Sequence, residues 1–397
     1  MIAPLRRAMR DGARTMDTVA WLDRLVGFPT VSRDPNMAMI AAIEAYLAGI
    51  GARVRVIADE TGTKANLFAS IGPEGDGGVI LSGHTDVVPV DGQPWTGDPF
   101  RLRAQDGRYY GRGTTDMKGF LACALRAAGI AAARPLAAPL HLAFSHDEEI
   151  GCVGVRRMLD VLAATGPRAA LCIVGEPTGM RVATGHKGKL AARAVCCGTE
   201  GHSALAPRAL NAIHLASDLI QRVRQRQDDL AARGAQDAEY DVPYTTLHVG
   251  RIAGGVALNM VPERCVLDFE IRNLAADSAR DILAAIAEDA AALVTTARRR
   301  FPSADIRMEV VNAYPGLDTA PDSVAGRTVQ ALTGANGHIK VAFGTEAGLF
   351  RERLDVPVVV CGPGDMAQGH TADEFVTGEQ LARCDAMMDA LLARLAA

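Results

Sequence analysis

The stretch Leu140-His141-Leu142-Ala143-Phe144-Ser145-His146-Asp147-Glu148-Glu149 passes directly from apolar residues into acids. Its first six residues read as a buried strand, and the three acids beyond it repel one another unless a cation stands among them. Working outward, the same pattern recurs. Val79-Ile80-Leu81-Ser82 leads to His84-Thr85-Asp86, and Leu171-Cys172-Ile173-Val174 leads to Gly175-Glu176-Pro177. Further strand-length runs at 54–57 and 67–71, with helical patterns at 117–132 and 153–163, complete an alternation that predicts an α/β fold. Its central sheet is mostly parallel and covered on both faces. In such sheets ligands gather beyond the carboxyl ends of strands, where His84, Glu148-Glu149 and Glu176 fall.

At 397 residues the chain calls for two domains. After Lys187 the pattern changes to strand, helix, strand, strand, helix, strand (190–196, 211–233, 245–252, 265–271, 278–298, 306–311). That βαββαβ order predicts a separate α+β layer inserted into the first domain. The expected boundaries are 1–186 with 314–397 for the α/β domain and 187–313 for the insert, a buried strand at 356–361 returning the chain to the first. A hydrophobic fraction of 49% and a formal charge of −4 describe an ordinary globular protein. They lack the basic excess that nucleic acid or an anionic membrane demands, so a small charged metabolite is the expected partner. No apolar run is long enough to cross a membrane. The eight cysteines show neither zinc-finger spacing nor secreted-scaffold density, which points to a reducing cytoplasm. Residues 1–15 lack a signal-peptide core and read as a frayed extension, with Met16 an alternative start before the first helical pattern.

The polar segments supply a ligand set. From an extended His84-Thr85-Asp86 the histidine and aspartate point the same way, so one can hold a metal while the other orients its imidazole or the neighbouring base. A strand-end histidine that only forms hydrogen bonds is the bland alternative. Asp116 closes Gly111-Arg112-Gly113-Thr114-Thr115; its two oxygens can bridge two cations, or it can simply cap the helix that follows. Of Glu148 and Glu149, one can ligate while the other faces the substrate as general base; a solvated acidic helix start is the rival reading. Glu176 and His370 follow buried strands in turns that Pro177 and Gly362-Pro363-Gly364 shape. Two imidazoles and several carboxylates suit a pair of divalent cations, zinc first and cobalt or manganese next, with one carboxylate left to move protons. His202, in the insert between a strand and a helix, can act as a polarising donor to a carbonyl.

Taken together, Ser82-Gly83-His84-Thr85-Asp86-Val87-Val88-Pro89, Gly111 to Gly119, Asp147-Glu148-Glu149-Ile150-Gly151 and Gly175-Glu176-Pro177-Thr178 resemble a known family. It is the dinuclear zinc metallopeptidases that include acetylornithine deacetylase, succinyl-diaminopimelate desuccinylase, aminoacylases and carboxypeptidase G. The resemblance implies a zinc-peptidase-like catalytic domain with one metal on His84 and Glu176, a second on Glu149 and His370, and Asp116 bridging them. It also implies Asp86 steadying His84, Glu148 as base, and the insert as a lid through which two copies dimerise. His202 would then reach across the dimer to the partner's substrate carbonyl, while Asn259 and Arg272 grip a substrate carboxylate. Gly185-His186-Lys187-Gly188, Phe343-Gly344-Thr345-Glu346-Ala347 and Gly362 to Gln368 are most similar to the acetylornithine deacetylase branch, which implies arginine biosynthesis. Ala204 after His202-Ser203 and Gly369 before His370 depart from the pattern and leave the acyl group open. Desuccinylase, aminoacylase and dipeptidase activities are the alternatives; a catalytically dead binding protein would be expected to have lost one of these positions.

Overall fold

In the computed structural model, which describes residues 16–396, Leu140–Ser145 is a strand with every residue buried. Its Leu140, Leu142 and Phe144 enter one core, and the positions between them face the opposite side of the sheet. Val79–His84 lies parallel to it, with His84 opposite Ser145. Leu171–Pro177 runs parallel to Val79–His84, and Val358–Gly362 parallel to Leu171–Pro177. The flanks are antiparallel: Ala65–Ile71 and Arg53–Ala58 on one side, Val182–His186 on the other. The sheet is therefore mostly parallel at its centre, the expected α/β class, with reversed edges.

Thr18–Val26, Lys118–Ala132 and Gly378–Leu395 pack on one another over one face of this sheet, with Trp21 fully buried and edge-on to Tyr46 at 4.6 Å. Val155–Thr165 and Ala347–Leu354 pack together on the other. Side chains satisfy free amides at two of these helix starts: Asp17 accepts from the Ala20 N–H at 2.8 Å and Thr377 from the Gln380 N–H at 3.1 Å. No helix among the described residues is long and apolar enough to cross a membrane. The expectation for residues 1–15 lies outside the described residues.

The chain divides into two compact units. Among the described residues, one gathers the chain from Met16 to Gly185, Thr319–Ile339 and Thr345 to Ala396; the other takes in His186–Asp318 and the short excursion Lys340–Gly344. The second unit has the βαββαβ order: Lys189–Cys197, Ala212–Arg233, Thr246–Gly254, Arg264–Arg272, Ala279–Arg298 and Asp305–Tyr314. Its four strands are antiparallel in the order third, fourth, first, sixth element. Leu190, Ala192, Ala194 and Cys196 alternate inward against Leu215, Leu219, Ile286 and Ala290 of the helices, so both helices cover one face.

Some boundaries differ from expectation for identifiable reasons. Asn211 and Ser278 are caps rather than first helical residues, accepting from the Ile213 and Asp281 amides. The helix expected at 153 begins at Val155, because the carbonyls of Asp147 and Glu148 take the amides of Gly151, Cys152 and Val153 in a tight turn. Several elements were not anticipated, among them Val182–His186, Val324–Thr333 and Gly378–Leu395. Met37–Gly49 buries Met39, Ile40, Ile43 and Leu47 but exposes mostly alanines, Glu44 apart, so its two faces contrast little in polarity. A small sheet of Arg103–Gln105, Arg108–Tyr110 and Phe375–Thr377 joins segments remote in sequence, with Phe375 opposite Tyr110.

Candidate metal centre

Parallel register brings the strand ends together. Since Ser82 is opposite Val174, continuing two residues sets His84 abreast of Glu176, and His84 Nε2 lies 3.6 Å from a Glu176 oxygen. Glycine at 175 makes that possible: a Cβ there would stand 2.0 Å from the Phe120 ring, which occupies the space beneath the strand. His84 Nδ1 donates to the Asp86 carbonyl at 2.9 Å, which leaves Nε2 toward Asp116 Oδ1 at 3.0 Å. The other Asp116 oxygen meets His370 Nε2 at 3.1 Å, and the same imidazole nitrogen lies 3.1 Å from Glu149. Thus Asp116 touches both imidazoles, although 254 residues separate it from His370.

The three consecutive acids separate by direction. Asp147, at φ 56°, turns to Lys64 Nζ at 2.6 Å and His146 at 3.1 Å. Glu149 points to His370, and Glu148 accepts from the Cys152 thiol at 3.2 Å. The amides of Glu148 and Glu149 both donate to the Asp86 carboxylate, at 3.1 and 3.3 Å, and Ser32 Oγ donates to it at 2.7 Å. Asp86 therefore fixes His84 through its carbonyl and the two glutamates through its carboxylate.

Burial raises the proton affinity of Glu148, Glu149 and Glu176, Glu149 to about 7, with the charges of neighbouring carboxylates adding to it and His84 and, at Glu149, His370 opposing it. Burial pushes Asp116 the same way, but hydrogen bonds from His370 and His84 outweigh it and hold it well below the usual carboxylate range. Burial opposes protonation of His84, yet Asp116 and Asp86 hold it above its ordinary value. Hydrogen bonds to Asp116 and Glu149 push His370 up to about 10. Divalent cations would offset this crowded negative charge and compete with protons for the same groups.

The donor set fits such cations. Ligand atoms of His84, Asp116 and Glu149 lie within 4.8 Å of one another, as do those of His84, Glu148 and Glu176. Glu149 Oε1 is buried without a hydrogen-bond partner among the described residues, an acceptor that a cation would satisfy. Mixed imidazole nitrogen and carboxylate oxygen is the coordination that zinc and its neighbours accept.

His202, Asn259 and Arg272 belong to the second unit. Gly201–His202 pairs with Met260–Val261, and the Ser203 amide donates to the Asn259 carbonyl at 3.0 Å, so His202 and Asn259 are neighbours. His202 Nδ1 accepts from the Ala204 amide at 3.1 Å, which places the ring proton on Nε2. Arg272 is elsewhere, at the end of Arg264–Arg272, held by Glu270 at 3.1 Å and the Tyr314 hydroxyl at 3.3 Å.

Sequence reasoning missed Ser32, Cys152, Gln93, Arg112, Glu374 and Glu346. Arg112, between two glycines, Glu346, within the Phe343 to Ala347 stretch, and Glu374, in the acidic run after His370, carried a local signal but were given no role. Glu346 is buried, neither carboxylate oxygen has a hydrogen-bond partner among the described residues, and burial pushes it up to about 7. A carboxyl with a folded pKa above its unfolded one binds its proton more tightly when native, so stability falls as pH rises from about 4.5 to about 7. For metal-free protein, Glu346→Gln should flatten that fall by on the order of 3 kcal/mol, measured by urea unfolding at pH 5 and pH 8. An unchanged difference between the two pH values would show that Glu346 ionises freely.

Comparison with known proteins agrees with this geometry. The sequence profile of Peptidase family M20/M25/M40 matches residues 80–394. The chain is 35% identical over 359 residues to acetylornithine deacetylase from Salmonella arizonae, covering 89% of this chain and 91% of that one. The fold is similar to a tripeptidase from Staphylococcus aureus (TM-score 0.73, 17% identity, 96% and 99% covered). It is also similar to an M20 family metallo-carboxypeptidase from Sulfolobus solfataricus (TM-score 0.75, 18% identity, 95% and 99% covered). A dinuclear metal-binding M20 peptidase from Bacillus subtilis matches with a TM-score of 0.66 at 15% identity, covering 95% and 97%. With three strand ends, the Asp116 turn and a remote histidine converging as a metal-dependent hydrolase requires, the chain belongs to Peptidase family M20/M25/M40.

Proposed function

We propose that this metal-dependent amidohydrolase removes the acyl group from an N-acyl amino acid, with N-acetylornithine as substrate and ornithine and acetate as products. The observation that carries the reading is the convergence of His84, Asp116, Glu149, Glu176 and His370 in a chain 35% identical over 89% of its length to an acetylornithine deacetylase. His84 and Glu176 would hold one cation, Glu149 and His370 the other, and Asp116 would reach both through its two oxygens. Zinc is the metal we assign, with cobalt able to replace it. When bound, the pair supplies Lewis acidity and lowers the pKa of water.

The chain's own residues do the rest. Glu148, anchored through its amide to Asp86, takes a proton from the attacking water and passes it to the leaving nitrogen. His202, with Nε2 carrying the ring proton, donates to the carbonyl oxygen as negative charge develops there. Asn259 and Arg272 bind the substrate carboxylate, for which Arg272 offers a planar donor pair. Two copies pair through the second unit, whose edge strands expose Val310, Val311 and Ile252 at 53%, 56% and 50%. All eight cysteines are free thiols, which suits a cytoplasmic home.

A panel of N-acetylornithine, N-succinyl-diaminopimelate and N-formyl and N-acetyl amino acids, assayed on zinc-loaded protein with product analysis, tests the assignment. N-acetylornithine should lead in kcat/KM by on the order of 100-fold. A succinyl or formyl substrate in first place would overturn it.

A further inference from the structure

We infer that Gln93, Arg112 and Glu374 form a polar chain that sets the separation of Asp116 and His370, making all three positioning residues for the metal pair. The inference rests on the ligand assignment proposed above. The small sheet lays Phe375–Thr377 beside Arg108–Tyr110, so the residues after His370 run alongside the turn that carries Asp116. There the fully buried Glu374 carboxylate accepts four hydrogen bonds. Oε1 takes the amides of Thr115 at 2.9 Å and Asp116 at 3.0 Å; Oε2 takes the Gly113 amide at 3.1 Å and Arg112 Nη1 at 2.6 Å. Asp116 is thus held by its own N–H from a residue on the His370 segment.

Arg112 carries the connection onward. Its guanidinium, 1% exposed, donates through Nη1 to the Thr371 carbonyl at 3.3 Å and through Nη2 to Gln93 Oε1 at 2.5 Å. It also lies 5.0 Å from the Trp95 ring centre. The Trp95 indole N–H donates to the same Gln93 oxygen at 3.0 Å, which leaves the Gln93 amide nitrogen to donate to the His370 carbonyl at 2.9 Å. Hydrogen bonds therefore run from the Asp116 amide through Glu374, Arg112 and Gln93 to the His370 backbone, and the Asp116–His370 side-chain contact at 3.1 Å closes the circuit. His370 sits at φ 59°, in the left-handed region that non-glycine residues seldom occupy. Ligands fixed before the metal arrives lose less freedom on binding it, so loosening either end should weaken metal affinity.

A merely structural network would change stability without changing metal affinity, so the test reads both. Zinc is titrated calorimetrically into metal-free wild type, Gln93→Leu, Gln93→Glu and Glu374→Gln, with the unfolding temperature of each metal-free protein measured alongside. Two ions bound by wild type uphold the ligand assignment; none would sink that assignment whatever the variants do. Gln93→Leu should weaken one ion by about 10- to 100-fold. Glu374→Gln, which sets an amide N–H₂ against other donors, should weaken binding at least as much. Gln93→Glu keeps an acceptor for Arg112 but loses the donor to the His370 carbonyl, so it should be as weak as Gln93→Leu. Wild-type affinity in Gln93→Leu, or affinity restored by Gln93→Glu, would overturn the proposal. Gln93 is only half-buried, so its variants decide the matter even if Glu374→Gln does not fold.

Discussion

Replacing Glu148 by Gln should lower kcat by about 10³-fold while leaving KM and metal content near their wild-type values. Under the proposed assignment Glu148 moves protons, and His84 and Glu176 hold the cation that it lies beside. Burial raises the proton affinity of Glu148 well above the usual range, and although the nearby His84 charge opposes this, Glu149, Glu346 and Asp116 reinforce it. Glutamine preserves the shape and can still accept from the Cys152 thiol, but it cannot take a proton from water. Steady-state kinetics on variant protein whose metal content has been measured reads the effect directly. Wild-type turnover at full metal occupancy would remove Glu148 from the reaction.

The second large effect is expected at Asp116. Asp116→Ala should hold fewer than two ions per chain and lose on the order of 10³-fold or more in kcat/KM, equivalent to the several kcal/mol that a metal pair contributes to the transition state. Asp116 is the residue whose two oxygens meet His84 at 3.0 Å and His370 at 3.1 Å, so its loss deprives both imidazoles of a common partner. It differs from Glu148→Gln in kind: there metal stays and chemistry stops, here metal leaves. Metal analysis together with kinetics separates the two. A variant that retained two tightly bound ions would show that the cations are held without a bridging carboxylate.

Much of the architecture was legible because its periods are local. Fully buried runs at 79–82, 140–145 and 171–174 had to be strands of a covered parallel sheet, and the acids and histidines that end them had to lie along one edge of it. The alternation after Lys187 likewise announced a separate α+β layer with helices on one face, and the structure adds that its strands are antiparallel. Met37–Gly49 escaped because its exposed face is mostly alanine and contrasts little with its buried one, and the sheet joining Arg108–Tyr110 to Phe375–Thr377 escaped because strands of three residues carry almost no pattern.

Residue types and their order within the chain were enough to nominate the cage: a histidine or carboxylate beyond each buried strand is costly without a cation, and that cost is visible in one dimension. Which oxygen faces which nitrogen is not. The turning of Asp147 to Lys64, the two-sided grip of Asp86, and the line from Glu374 through Arg112 and Gln93 to His370 join residues tens to hundreds of positions apart. Hydrogen bonds depend on distances of a few tenths of an ångström, and only packing of the whole chain sets those.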